Sequence, residues 1–323
     1  MTPPDLTVRP ATPDDLPAVA GILSLVWPDD PVTVQTLTLE DDIQRAATLP
    51  LRHGRLLALR DGHPLGFAGY TQHSGMYHPQ HFHVTVNVVP DARGQGTGRA
   101  LAAALHAELA PHHPTALLAI TREDHRRGLD FLARQGFREG AHYFESRLAV
   151  PTFDPAPFAD RAALPAGYTL HSLADLGLTD DVLRAVYDLW SEVRQDVPRP
   201  KPATPMPYEQ FTSRFQDRHS LLPEGFLLAR HEESGTFAGL SELWRSDGPH
   251  LYTGLTGVRR AHRRHGLALS LKLAALRVAA ALNAPEIRTE NASSNAGMLA
   301  LNDALGFRRE VAWIEHHRGG RRV

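Results

Sequence analysis

Two stretches of this chain place arginine and glycine at one spacing: Arg93-x-x-Gly96-x-Gly98 and Arg263-x-x-Gly266-x-Ala268. Glycine lets a backbone turn tightly and gather several N–H groups with no Cβ in the way. Each stretch follows a strand-like run and leads into a helix-like run. The free N–H groups and positive dipole end of that helix would therefore point at the same spot. The chemistry is anion binding, suited to a phosphate or a pyrophosphate. Neither stretch is a P-loop, because no lysine follows the glycine where that motif needs one. Neither is a dinucleotide fingerprint: counting from Gly94 and Gly96, the third glycine position is Arg99.

The elements that must hold these loops repeat. Arg93 and Arg263 are 170 residues apart, and so are Val88 and Val258, and Gly136-Phe137 and Gly306-Phe307. One offset kept by three motifs argues for an internal duplication. A short strand opens each half, at Leu6 to Arg9 and at Tyr168 to His171. Helices are predicted from near Pro13 and Thr179. Three strands follow, at about 55–60, 65–72 and 82–89, and again at 226–230, 237–244 and 251–258. The run His81-Phe82-His83-Val84-Thr85-Val86-Asn87-Val88 has the period of two that marks a strand with one buried face. Helices then start inside the glycine loops, with Leu101, Leu105 and Leu109 on one face and Leu269, Leu273 and Leu276 on the other copy. A buried strand comes next, then a helix closed by Gly-Phe, with glycine as its C-cap. A last strand, near 141–148 and near 311–316, is expected to close each half. The proline- and alanine-rich stretch 151–166 reads as a linker between domains 1–150 and 167–323.

Composition narrows the function. Cysteine is absent, which removes disulfides, thiolate metal sites and a cysteine nucleophile. A net charge of -2 gives no global attraction to nucleic acid or to anionic membrane. The longest apolar stretch, Leu267 to Ala284, is interrupted by Lys272, Arg277 and Asn283, so it reads as a helix of a soluble protein and not as a membrane span. Met1 to Asp5 has neither the basic start nor the apolar core of a signal peptide. A cytoplasmic protein is expected. His73, His78, His81 and His83 are close in sequence, but no carboxylate lies inside the run, so no metal is expected there.

The segments Val88-Val89-Pro90-Asp91-Ala92-Arg93-Gly94-Gln95-Gly96-Thr97-Gly98 and Val258-Arg259-Arg260-Ala261-His262-Arg263-Arg264-His265-Gly266-Leu267-Ala268 resemble the acyl-CoA loop of the GNAT acyltransferase superfamily. Leu305-Gly306-Phe307 and Gln135-Gly136-Phe137 resemble the end of that family's last helix. The resemblance covers nearly the whole chain as two tandem domains, a layout similar to that of mycothiol synthase with no close match to it. It implies an α/β fold with a twisted mixed sheet flanked by helices in each domain. Its fourth and fifth strands would splay to admit the pantetheine arm.

The resemblance also implies roles. Residues Arg93, Gly94, Gln95, Gly96, Thr97 and Gly98, and Arg263, Arg264, His265, Gly266, Leu267 and Ala268, would bind the pyrophosphate of acetyl-CoA. Backbone groups at Val88 and Val258 would bind pantetheine and polarise the thioester carbonyl. Asn291 and Asn295 would bond pantetheine or cap the last helix; Thr121 and His125 stand at the matching places. The family's thiolate-protonating tyrosine is replaced by Leu132 and by Asn302. A carboxylate common on the fourth strand is replaced by Phe82 and by Tyr252. Val258, Tyr252 and Asn302 are therefore the candidate catalytic residues. The arginine run 259–264 reads as part of an anion loop, with no nucleic-acid partner. The implied activity is transfer of an acetyl or other short acyl group from coenzyme A to an amine of a small molecule. A non-catalytic acyl-CoA-binding protein and a protein or peptide N-acetyltransferase are the alternatives. The second half is favoured for catalysis, because it is richer in polar residues and carries a proline-stiffened segment, Asp196 to Pro207.

Overall fold

The computed structural model describes residues 6–29, 31–161, 163–199 and 204–319. In chain order the elements are β1 (Leu6–Pro10), α1 (Leu16–Val26), α2 (Val34–Ala46), β2 (His53–Arg60), β3 (His63–Thr71), β4 (His81–Val88), α3 (Thr97–Leu109), β5 (Ala116–Arg122), α4 (Arg126–Arg134) and β6 (Arg138–Ala149). Then come β7 (Tyr168–Ser172), α5 (Leu173–Leu176), α6 (Asp180–Gln195), α7 (Tyr208–Ser213), β8 (Phe226–His231), β9 (Phe237–Arg245) and β10 (Leu251–Val258). The chain continues through α8 (Leu267–Ala281), β11 (Glu286–Ala292), α9 (Ala296–Ala304), β12 (Arg308–Arg309) and β13 (Trp313–Arg318). Residues 1–5, which carry the signal-peptide reading, and 200–203 of the proline-rich segment lie outside the described residues.

The chain forms two compact units, Met1–Gly140 with Ile314–Val323, and Ala141–Trp313. In the first, β1 to β4 pair antiparallel in sequence order and β5 joins β4 in parallel. In the second, β7, β8, β9 and β10 pair antiparallel and β11 joins β10 in parallel. The period of two sorts side chains onto two cores. Leu56, Ala58 and Ala68 pack with Leu101 and Leu105 of α3, while Leu57 and Phe67 pack with Leu16, Val19 and Ile22 of α1. In the second unit α8 covers one face, and α6 and α7 cover the other with an aromatic cluster of Trp190, Phe211, Phe215 and Phe226.

The last strands depart from the sequence expectation. The strand after the first Gly-Phe, β6, lies beside β11 in the second unit, residue 149 opposite 286 through residue 143 opposite 292. The strand after the second Gly-Phe, β13, lies beside β5. Each half thus lends its last strand to the other half's sheet. Alternation identifies a strand and its buried face, but two sheets of like pattern offer it equivalent edges. The 151–166 stretch is packed: Phe158 is buried, and the Ser270 hydroxyl of α8 donates to the carbonyls of Arg161 and Ala163.

Candidate active site

Both loops have one conformation. The chain leaves the strand through a short 3-10 turn, Pro90–Ala92 or Arg260–His262, and reaches the helix through a glycine N-cap in the left-handed region, Gly96 at φ +89° and Gly266 at φ +83°. Gly94 is left-handed at φ +78°, and Arg264 takes the same place at φ +66°. Neither helix has a side-chain cap. The first intrahelical bonds run from Ala100 N–H to the Gly96 carbonyl and from Ser270 N–H to the Gly266 carbonyl. The N–H groups of residues 97–99 and 267–269 therefore point outward with no partner inside their helices. The space beside Gly94, Gly96 and Gly266 is open. An oxyanion placed there would meet converging donors and the positive end of a helix.

The arginine of each motif is a brace. Arg93 Nε donates to the Val88 carbonyl at 3.0 Å, and Arg263 Nε donates to the Val258 carbonyl at 3.0 Å. In the second unit a carboxylate of α6 and the one at its C-cap clasp the basic run: Glu192 pairs with Arg259, and Asp196 pairs with Arg260 and Arg263. Arg260 foremost, with Arg263, draws the Asp196 carboxyl down to about 2. The arginines of this run are therefore largely neutralised within their own unit, and among them only Arg264 makes no ion pair with the described residues.

The two valines end strands that open. β4 pairs with β5 only from His81 to His83, and β10 pairs with β11 only from Leu251 to Thr253. Beyond those residues the neighbours diverge. Val89 N–H bonds to the Leu65 carbonyl and Arg259 N–H to the Ala238 carbonyl. By antiparallel alternation, the N–H groups of Val88 and Val258 turn away from β3 and β9, into the gap. The gap runs straight into the uncapped helix, so one extended ligand could lie along the strand with its anionic end on the loop.

The remaining sequence candidates fall at the gap's margins. Asn295 is the N-cap of α9, its Oδ1 accepting from Met298 N–H at 3.4 Å. Asn302 is fully buried; its Nδ2 donates to Asn291 Oδ1 at 2.7 Å, and its own Oδ1 has no partner among the described residues. Its backbone carbonyl receives Phe307 N–H at 3.0 Å, with Gly306 at φ +88°, the helix-ending geometry that Leu132, Gly136 and Phe137 repeat. Tyr252 lies at the closed end of the opening, between Trp244 on β9 and Arg288 on β11. In the first unit Thr121 Oγ1 sits 3.4 Å from His125 Nδ1, and burial foremost lowers the His125 pKa. Among the described residues no three His, Asp or Glu side chains group to hold a metal ion; His73 meets His83, and His78 stacks on His81.

Sequence reading passed over one feature of the second unit, an ion pair with a buried carboxylate on the α6 and α7 face. Arg214 Nη2 donates to Glu242 Oε2 at 2.6 Å, and Trp244 Nε1 donates to the same oxygen at 3.0 Å. The available signal was a glutamate in the middle of the apolar run Phe237 to Trp244, since glutamate is rarely buried without a purpose. Gly66 and Gly239 each pair with a strand-ending valine, so Glu242, three residues on, corresponds to Gly69 in the first unit.

Among solved structures, the tandem GNAT protein from the clavulanic acid biosynthesis pathway is 23% identical to this chain, with a TM-score of 0.77 over 99% of this chain and 100% of that one. The GCN5-related N-acetyltransferase from Sphaerobacter thermophilus is 20% identical, with a TM-score of 0.73 over 98% of this chain and 96% of that one. At these identities the likeness is one of fold. No curated protein matches the chain. The Acetyltransferase (GNAT) family profile matches it twice, over residues 19–137 and 184–307, one match for each copy of the loop. Those matches span most of the chain, which therefore belongs to the Acetyltransferase (GNAT) family, as a tandem member and an acetyltransferase that takes its acyl group from coenzyme A.

Proposed function

We propose that the second unit moves an acetyl or other short acyl group from acetyl-CoA to an amine of a small molecule in the cytoplasm, and that the duplicated domains are 1–150 and 167–323, joined by 151–166. The observation that carries this reading is the run of one opened strand into one uncapped helix. From Gly254 to Val258 the strand has no parallel partner among the described residues, and at its end the first-turn N–H groups of α8 have no side-chain cap. The residues present fit the cofactor: open space beside left-handed glycines suits a pyrophosphate, and an inward N–H suits a thioester carbonyl.

When bound, acetyl-CoA supplies the acyl group as an activated thioester. The N–H groups of Leu267, Ala268 and Leu269 would hold its pyrophosphate, with Arg264 and His265 at the loop tip. The Val258 N–H would hold pantetheine and polarise the carbonyl as charge develops on its oxygen; one such donor is worth about 3–4 kcal/mol at the transition state. As the amine nitrogen bonds to the carbonyl carbon, the C–S bond breaks, the nitrogen gives up a proton and the thiolate gains one. Asn302 cannot supply that proton, since a neutral carboxamide is not an acid; its Nδ2 donates to Asn291. Its open Oδ1 would instead accept an N–H from pantetheine. Tyr252 would orient the water that carries the acceptor's proton away. The first unit would hold acetyl-CoA through Val88, Arg93 and residues 94–98, with Gly69 and Leu132 where the second unit has Glu242 and Asn302.

Thiol release from acetyl-CoA in a pool of amines tests this. Turnover is expected to fall by more than about tenfold in Gly266→Glu and by less in Gly96→Glu, both folded. The reverse pattern assigns catalysis to the first unit.

A further inference from the structure

We propose that the acceptor taken by the second unit is an aminocarboxylate, its carboxylate read by Arg214 and its amine by Glu242. This rests on the acyl-transfer reading above and adds the chemical class of the acceptor.

The Arg214–Glu242 pair is incomplete. A guanidinium and a carboxylate can join through two parallel bonds that satisfy both ends. Here they meet through one. Glu242 Oε2 takes donors from both Arg214 and Trp244, while Glu242 Oε1 and Arg214 Nη1 are both buried and without a partner among the described residues. The Glu242 side chain is 1% exposed. A buried acceptor and a buried donor on one ion pair, neither satisfied, call for a ligand that brings one of each. An ammonium next to a carboxylate does so with matched charges.

The surroundings agree. The Arg214 guanidinium lies 5.3 Å from the Trp190 ring centre and 5.1 Å from that of Trp244. Arg194 stands over the same Trp190 ring at 5.2 Å. Two guanidiniums share one indole, and an anion close to both would relieve their repulsion. The charged form of Arg194 is disfavoured by burial first, then by Arg199 and Arg214, which lowers it to about 10. These arginines come from α6 and the turn after α7, packed against β9 and β10.

The pair also adjoins the gap. Gly254 is exposed and is the first residue past the last β10–β11 pair. A Cβ on Gly254 would lie 2.6 Å from Glu242 Oε2 and 2.9 Å from Trp244 Nε1. Only the lack of a side chain there leaves the carboxylate room beside the strand that would carry the thioester. The first unit, with Gly69 at the place of Glu242, has no such pair.

The experiment compares α-amino acids with their methyl esters and with their decarboxylated amines, using the full chain. Thiol release from acetyl-CoA is measured for each, and the melting shift each gives is measured with coenzyme A present. The free acids are expected to exceed the matched esters and amines in kcat/KM by about tenfold to a hundredfold, and to give the larger melting shift. Arg214→Met is expected to bring that preference to within about threefold while keeping the melting shift with acetyl-CoA. Equal use of acids, esters and amines by the wild-type chain overturns the proposal, even if Arg214→Met does not fold. A preference that survives in folded Arg214→Met overturns it too. Neither turnover nor a melting shift with any amino acid, while acetyl-CoA still binds, assigns the two open atoms to a bridging water and overturns it. Turnover of amines without carboxylates alone overturns this proposal and leaves acyl transfer standing.

Discussion

Arg264 holds the backbone conformation that Gly94 holds in the other copy of the loop, φ +66° against φ +78°. An L-residue in that region costs about 1–2 kcal/mol, because its Cβ crowds the following carbonyl. The second unit keeps the arginine in spite of this, at the loop tip where an anion would sit. Arg264→Gly is therefore expected to raise stability by about 1 kcal/mol and to weaken acetyl-CoA. Thermal melts and a calorimetric titration read the two effects separately. A lower melting temperature would show that the side chain, not the anion, stabilises the turn.

Acetyl-CoA should raise the melting temperature of the wild-type chain, since a ligand that binds only the folded state stabilises it by about 2.7 kcal/mol at a hundred times its Kd. Gly96→Glu and Gly266→Glu should each remove binding from one unit. Both positions are left-handed, and a carboxylate there would oppose the phosphate. Stoichiometry by calorimetry is expected to fall from two to about one in either variant. Two unchanged sites in both variants would end the loop assignment.

Lys272 predicts a pH dependence. It is buried in α8, with Nζ 5.0 Å from the Phe307 ring centre, and burial pushes it down from 10.5 to about 8. Its folded pKa lies below its unfolded one, so the unfolded chain binds more protons between those values. Stability from this group therefore rises as pH climbs from 8 toward 10.5, and its full penalty, about 3 kcal/mol, applies below pH 8. Lys272→Met should stabilise the chain at pH 7 and flatten this rise. Urea midpoints at pH 7, 8.5 and 10 check it; an unaltered pH slope in the variant contradicts it.

Gly257 fixes α6 on the sheet. A Cβ there would fall 2.1 Å from Val193 Cγ1, so α6 would have to lift from β10. Gly257→Ala is expected to cost about 1–3 kcal/mol. Because Glu192 precedes Val193 on α6 and Asp196 caps that helix, the arginine clasp should loosen with it. Faster proteolysis within residues 259–264 is the readout, and protection equal to wild type would refute the coupling.

The glycine loops were legible in the sequence because left-handed backbone and uncapped helix ends are written in residue type and spacing. Gly96, Gly266 and the Gly-Phe pairs needed no tertiary information. The strands were legible for the same reason, their buried faces being spelled by alternation, but that each last strand joins the other half's sheet was not. Other features depend on neighbours distant in sequence. The arginine run looked like a phosphate magnet, yet Glu192 and Asp196, some 65 residues upstream, hold most of it. The Arg214–Glu242 pair joins residues 28 apart, and nothing at either position names the other. The partner of Asn302 was likewise hidden until α9 folded against β11.

The exchanged last strands have a consequence in time. The first unit is made of residues up to Gly140 and then of Ile314 onward. A ribosome adding about 5–20 residues per second needs roughly 10–35 s to cover the stretch between them. Through that interval β5 has an edge with no strand to cover it, the state most open to pairing with another chain. The first domain to be synthesised is therefore the last to be finished, and a nascent chain stalled or cut before its final strand leaves that edge open to a second molecule.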